Sequence, residues 1–449
     1  MASSKTLNAK NLEAMGAARL AALLIDISTG NATAKRRLRL ELAGEAGGDL
    51  AHEVRKRLIT IGKSRSYIGW EKVKPLITDL TMQHRAIVDQ IAKTSPKDAL
   101  DLLWRFMALA ENIFARCDDG SGRVRDVFVT AAADLAPLAL AAKTPPMTLA
   151  QHMVEALCGN DYGQYGDLVT AMVEPLGEEG LAHLNASFTA LDKAAPTGGE
   201  YMARHVLKQI ADAQNDVNGF IAQYDAEARR MPHIADEIAR RLLNAGRTDE
   251  AWVAINAIDE SRLHWHAERW SQTRVDIIEA LGRADEAQAF RWACFEDRLS
   301  ADHLRAYIKR LPDFDDIEAE DRALNLVLNH VDFHRALHFL ILWPAIDYAN
   351  QLILDRFTEL NGDHYELLTP TADALEPRHP LAATLVRRAM IDFALSRARV
   401  KRYPHAARHL RECESLAKQI ADYGIHADHD AYVEALMRDH GRKSAFWAG

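Results

Sequence analysis

The chain of 449 residues is poor in the features that announce most chemistry. It has four cysteines, Cys117, Cys158, Cys294 and Cys413, dispersed so that no C-x-x-C knuckle or redox pair exists. They are expected to be reduced thiols, mostly buried. No apolar run approaches the length of a membrane span. The longest strongly apolar stretch, near Phe339–Trp343, ends at Pro344. The opening residues, MASSKTLNAK, carry no apolar signal segment, so a cytoplasmic protein without membrane attachment is expected. Alternating β-branched runs and Asn-Gly hairpin signals are scarce, which excludes substantial sheet.

Phosphate-binding loops are missing too. No G-x-x-x-x-G-K-[ST] occurs, and GSGRVR at Gly120 lacks both the third glycine and a preceding strand. The pair His52–Glu53 is followed by Lys56 where a zinc protease needs histidine. CDDG at Cys117 lacks the rest of a calcium loop and is expected to form a turn and helix cap. No cofactor and no bound metal are expected. An enzyme built on the histidine rows described below is the least favoured class.

What is present is helical periodicity. Hydrophobic residues are 48% and charged residues 27%, with a net charge of -9, a globular composition that argues against a general nucleic-acid coat. LEAMGAARLAALLIDIS places Leu12, Met15, Leu20, Leu23, Leu24 and Ile27 on one stripe. Ser95 and Pro96 open a second amphipathic helix running toward Cys117. KTPPMT at Lys143–Thr148 and APTGGE at Ala195–Glu200 are loop-like breaks. The expected division is an N-terminal helical domain, 1–145, followed by a helical-repeat region, 146–449.

The repeat is visible in one heptapeptide. GRTDEAW begins at Gly246 and GRADEAQ at Gly282. Each glycine falls where a helix C-terminus needs a left-handed residue. Each is followed by two acids in the next first turn and a small alanine, Ala251 or Ala287. A spacing of about 34–36 residues marks tetratricopeptide-like helix pairs. Arg291 stands where that pattern prefers an apolar residue. Ala336 and Ala406 fall in the same slot of degenerate copies. The expected fold is all-α, an irregular tetratricopeptide-like α-solenoid with an N-terminal helical domain.

RSYIGW (Arg65–Trp70), RCDDGSGRVRDVF (Arg116–Phe128), the glycine turns and HGRKSAFW (His440–Trp447) resemble an uncharacterised bacterial all-helical family. That family is similar to the helical region that follows the zinc finger in SWIM zinc-finger proteins. The finger's own cysteine spacing does not occur here. The resemblance implies a helical fold and no activity.

Charge and histidine distribution supply the candidate surfaces. Lys35 to Lys74 holds 11 basic residues against 5 acidic, densest at Lys35, Arg36, Arg37 and Arg39 and at Arg55, Lys56 and Arg57. Arg387 to Arg411 holds eight basic residues and one acidic, including Arg399, Lys401 and Arg402. Pro312 to Asp321 holds six acids. Such blocks favour docking to a charged partner or to a second copy. Histidines concentrate after residue 230, with His330, His334 and His338, and His405, His409 and Cys413, each in a row on one helix face. His426 and His429 lie one turn apart. A row of three spans about 12 Å, too long for one ion, so solvated or hydrogen-bonded imidazoles are expected. HWHAERW, His264–Trp270, is expected to supply tryptophans to the core. The leading expectation is a non-enzymatic scaffold binding a protein or peptide, and the alternative is a nucleic-acid binder using the basic blocks.

Overall fold

The computed structural model describes residues 7–45, 50–194, 200–263 and 267–448. The expected loop at 195–199 and His264, Trp265 and His266 lie outside them. The described residues are overwhelmingly helical and contain no strand. Their only ladder-like pairing is an isolated bridge between Ile68 and Cys117. The chain groups into two compact units, Met1–Ala228 and Arg229–Gly449.

The first unit is a bundle in which helices distant in sequence meet. Leu50–Gly62 packs on Pro96–Met107, and Trp70–Arg85 packs on Arg123–Ala133. One core joins Val54, Leu80, Phe106, Phe128 and Phe188, all fully buried. It continues through the double proline: Pro145 and Pro146 open the Pro146–Cys158 helix, whose Leu149 and Met153 enter the same core. Ser95 caps the Pro96–Met107 helix by accepting from the Asp98 amide, as its sequence position implies. Asp119 caps the Arg123–Ala133 helix, taking the amides of Val124 and Arg125 at 3.1 and 3.0 Å.

The Leu12–Ile27 stripe behaves differently from expectation. Gly16, at φ 81°, splits it into two helices, Ala9–Glu13 and Ala17–Ser28. Only Ser28 is buried in the second, so Leu23, Leu24 and Ile27 face outward rather than into a core.

In the second unit consecutive helices stack. From Pro232–Asn244 to Tyr403–Ala417 each helix packs on the next in sequence, and several also touch the next but one. The repeated heptapeptides fold alike. Gly246 and Gly282 lie at φ +73° and +75°. Arg247 donates to the Leu242 carbonyl and Gly246 to that of Leu243, and Arg283 and Gly282 do the same to Ile278 and Glu279. This pattern ties off the carbonyls that a helix end leaves free. Arg247 pairs with Glu250 and Arg283 with Glu286, both at 2.6 Å. Ala251, Ala287, Ala336 and Ala406 are each the fourth residue of their helix, and all are buried. Ala349 fills the same slot in the Ile346–Asp355 helix.

Arg291 fits because it is paired. It is buried and meets Glu279 at 2.5 Å, a carboxylate that Arg310 also holds. Trp270 is buried, its indole N–H donating to the Ile255 carbonyl. Of the cysteines only Cys413 is fully buried, and Cys158 is exposed.

Neither repeat glycine has a neighbour within 4 Å of an added Cβ. Gly246→Val and Gly282→Val are therefore expected to cost only the left-handed strain, about 1–2 kcal/mol each. Chemical denaturation checks this, and midpoints equal to wild type would contradict it.

Candidate partner-binding surfaces

The N-terminal basic block divides into inward and outward groups. Asp79 is buried on the Trp70–Arg85 helix, and Arg57 Nε donates to it at 3.0 Å. Arg36 Nη2 lies 3.8 Å from the same carboxylate, and the Gln83 side-chain amide donates to it at 3.3 Å. Arg55 and Arg105 share Asp101 at 3.2 and 2.9 Å. Three of the seven basic residues thus tie helices together. Lys35, Arg37, Arg39 and Lys56 are exposed. Arg37 borders a groove of about 650 Å³ between the Ala32–Glu45 helix and Trp70–Arg85 with its π-helical continuation, Ala86–Ile91. Glu41 and Asp89 also line that groove, so it is not purely basic.

The motifs RSYIGW and RCDDGSG meet. Ile68 donates to the Arg116 carbonyl at 2.8 Å, and Asp118 donates back to that of Ile68 at 3.0 Å. The Arg116 guanidinium donates to the Ser66 carbonyl at 2.9 Å. Pinning Ile68 inward leaves its neighbours Tyr67 and Trp70 67% and 75% exposed.

The C-terminal block forms a pocket of about 240 Å³. Lys401 and Arg402 come from the turn before the Tyr403–Ala417 helix, and His405, Arg408 and His409 from the helix itself. Arg402 pairs with Asp363 at 2.8 Å and lies over the Tyr365 ring, 4.4 Å from its centroid. Gly362, Tyr365 and Thr369 complete the wall. Arg399 is exposed and outside the pocket.

Beside this pocket Arg387 is buried and surrounded by Asp373, Glu376 and Glu412 at 3.1, 2.5 and 2.9 Å. His409 Nδ1 lies 2.8 Å from Glu412 and Arg408 3.4 Å from it. Burial opposes ionisation of Glu412, but the His409 hydrogen bond and the guanidinium charges outweigh it and hold the carboxyl below its ordinary range.

Two more of the histidines singled out by sequence, His334 and His426, have local ring partners. His334 stacks on His364 with centroids 4.2 Å apart and accepts the Asn361 amide. His364 starts the turn into the Tyr365–Leu375 helix and belongs to neither histidine row. His426 meets the edge of Phe357. Among the described residues no group of three His, Cys, Asp or Glu is placed to hold a metal ion.

The acidic block serves its own helix first. Asp315, Asp316 and Glu318 occupy the first turn of Asp315–Leu328, where carboxylates oppose the helix dipole. Glu320 accepts the Trp343 indole N–H at 2.6 Å. Phe314, at φ 78°, stands 79% exposed among these acids.

Mild acid is expected to destabilise the second unit. Burial lowers the pKa of His303, His334, His409 and His426 below the ordinary 6.5, with His364 adding to the effect at His334 and Glu412 opposing it at His409. The unfolded chain therefore binds protons more readily at these rings than the folded chain does. Stability is full above 6.5 and is lost as pH falls toward the depressed folded values. Asp392 runs the other way, because burial raises its carboxyl above 3.8 and its contribution is lost as pH rises. A thermal midpoint lower at about pH 5.5 than at about pH 7.5, with a smaller difference in His303→Gln, is the expected result. Equal midpoints would contradict it.

These features define an all-α protein, with no helix among the described residues long and apolar enough to cross a membrane. The chain belongs to a family of unknown function, DUF6880, whose model matches residues 2–449. That match carries no similarity to SWIM zinc-finger proteins. Comparison with curated proteins finds no match.

Proposed function

We propose that the chain is a non-enzymatic, tetratricopeptide-like helical-repeat scaffold of the cytoplasm that binds a protein or peptide partner through the unit Arg229–Gly449. The observation that carries this reading is the serial stacking of helices from Pro232 to Ala417. A stack of this kind brings side chains of successive helices onto one continuous surface, the kind that repeat proteins use for binding. Exposed Arg399, Lys401 and His405 on this unit favour an acidic partner. A second copy offering Phe314 and the acids around it is one such partner.

A second reading, nucleic-acid binding on the first unit, is favoured by exposed Tyr67 and Trp70 close in sequence to Arg65 and Lys72. The experiment that separates the two is capture of partners from native lysate by the full chain, with and without nuclease, alongside binding to random-sequence duplex. The variant for comparison is Lys35/Arg37/Arg39/Lys56→Glu, because Arg36, Arg55 and Arg57 hold Asp79 and Asp101. Nuclease-resistant capture of a defined protein, retained by the variant, supports the scaffold. Submicromolar duplex binding lost in the variant, with capture abolished by nuclease, replaces it with the second reading.

A further inference from the structure

The pocket before and along the Tyr403–Ala417 helix contains no carboxylate in its lining. Asp363 and Glu412, outside the lining, pair with Arg402 and with Arg408 and His409. Lys401 and His405 are exposed and form no ion pair among the described residues. An anion entering here meets side chains of one sign and lies against the donors that remain open.

The far wall adds a second requirement. His409 is 5% exposed yet lines the pocket. Its Nδ1 faces the Glu412 carboxylate, which only accepts, so the ring proton sits on Nδ1. Nε2 is then a lone-pair acceptor, suited to an N–H of the ligand. Met390, Ala394 and Ala406 supply a short apolar floor. The volume of about 240 Å³ is below the range of about 300–1,000 Å³ typical of drug-sized ligands and cofactors. It has room for a single residue.

We propose that this pocket receives one anionic residue of a peptide, its carboxylate or phosphoryl group against Lys401, Arg402, His405 and Arg408, its stem on the Met390–Ala394 floor, and an N–H at His409 Nε2. The assignment rests on the peptide-scaffold reading and names the feature of the partner that the second unit recognises. Lys401 and His405 are the residues to change, since neither holds the fold together.

Calorimetric titration of the full chain at low salt tests it. The probes are capped Ala-Glu-Ala, Ala-phosphoserine-Ala and Ala-Gln-Ala, and inorganic phosphate. The two anionic tripeptides are expected to bind at least about tenfold more tightly than the glutamine one. Lys401→Ala/His405→Ala is expected to remove about tenfold of that affinity with an unchanged melting curve. Equal binding of all tripeptides, no binding of either anionic one, or no effect of the double variant overturns the proposal. Inorganic phosphate binding as tightly as the phosphoserine tripeptide overturns it too, in favour of a free-anion site. A variant that keeps its captured protein while no tripeptide binds sinks the pocket and leaves the scaffold standing. Tripeptides that bind as expected to a chain that captures no protein keep the pocket and sink the scaffold.

Discussion

Arg387→Ala is expected to destabilise the second unit by about 3 kcal/mol, the lower end of the cost of removing one member of a buried ion pair. Arg387 is 2% exposed and, among the described residues, is the only cation in contact with both Asp373 and Glu376. Its removal opens a cavity and leaves Asp373, Glu376 and Glu412 close together around it. All three carboxylates reach solvent, so water recovers part of the loss, which sets the estimate at the lower end. Arg387→Met refills the volume without the charge and is expected to lose less. Urea unfolding followed by circular dichroism distinguishes the cases. A midpoint for the alanine variant within error of wild type would show that the three acids need no central cation.

Gly362→Ala should be nearly as damaging as Gly362→Val, about 3 kcal/mol, at the top of the range for overpacking. A Cβ at this position lies 2.0 Å from the Ala389 carbonyl oxygen, 2.6 Å from its carbon and 2.7 Å from Phe393 Cβ. The first two are backbone atoms within the Pro380–Ser396 helix, so no side-chain rotation relieves the clash. Because the conflict begins at Cβ, the larger residue adds little. At Gly246 the two substitutions separate: space is open, the backbone is left-handed, and valine costs more than alanine. Melting curves of the four variants test the contrast. A harmless Gly362→Ala would mean that the turn before Tyr365 is free to lift away.

The helical turns were legible where glycine marks them and hidden where it does not. Lys143, Asn215 and Ala398 also adopt positive φ, at 52°, 52° and 50°. Each is followed by the same bond back across the helix end, from Thr144 to Ala139, Asp216 to Ala211 and Arg399 to Ala394. A residue with a Cβ takes that conformation only because the surrounding packing over-determines it, and no single-residue signal announces that. The Leu12–Ile27 stripe failed for the converse reason. Its periodicity gives helix on either side of the break at Gly16, but periodicity cannot say whether a partner covers the face.

The candidate surface was partly legible. Lys401, Arg402, His405 and His409 lie close in sequence and meet in one pocket. Gly362, Tyr365 and Met390 join them only through helix stacking. In the N-terminal block, local charge density could not separate Lys56 from its neighbours Arg55 and Arg57. Their orientation is set by Asp79 and Asp101, carried on other helices.

Near-neighbour packing in the second unit also fixes an order of events at the ribosome. When each helix rests on those just before it, short loops suffice to close every contact, and the entropy of closure stays small. A newly emerged helix finds its seat already built, so the core grows in step with synthesis. In the first unit that sequence is broken: Trp70–Arg85 lacks its contact with Arg123–Ala133 until the later helix has emerged. Slowed translation would therefore prolong exposure of unfinished apolar surface in the first unit far more than in the second.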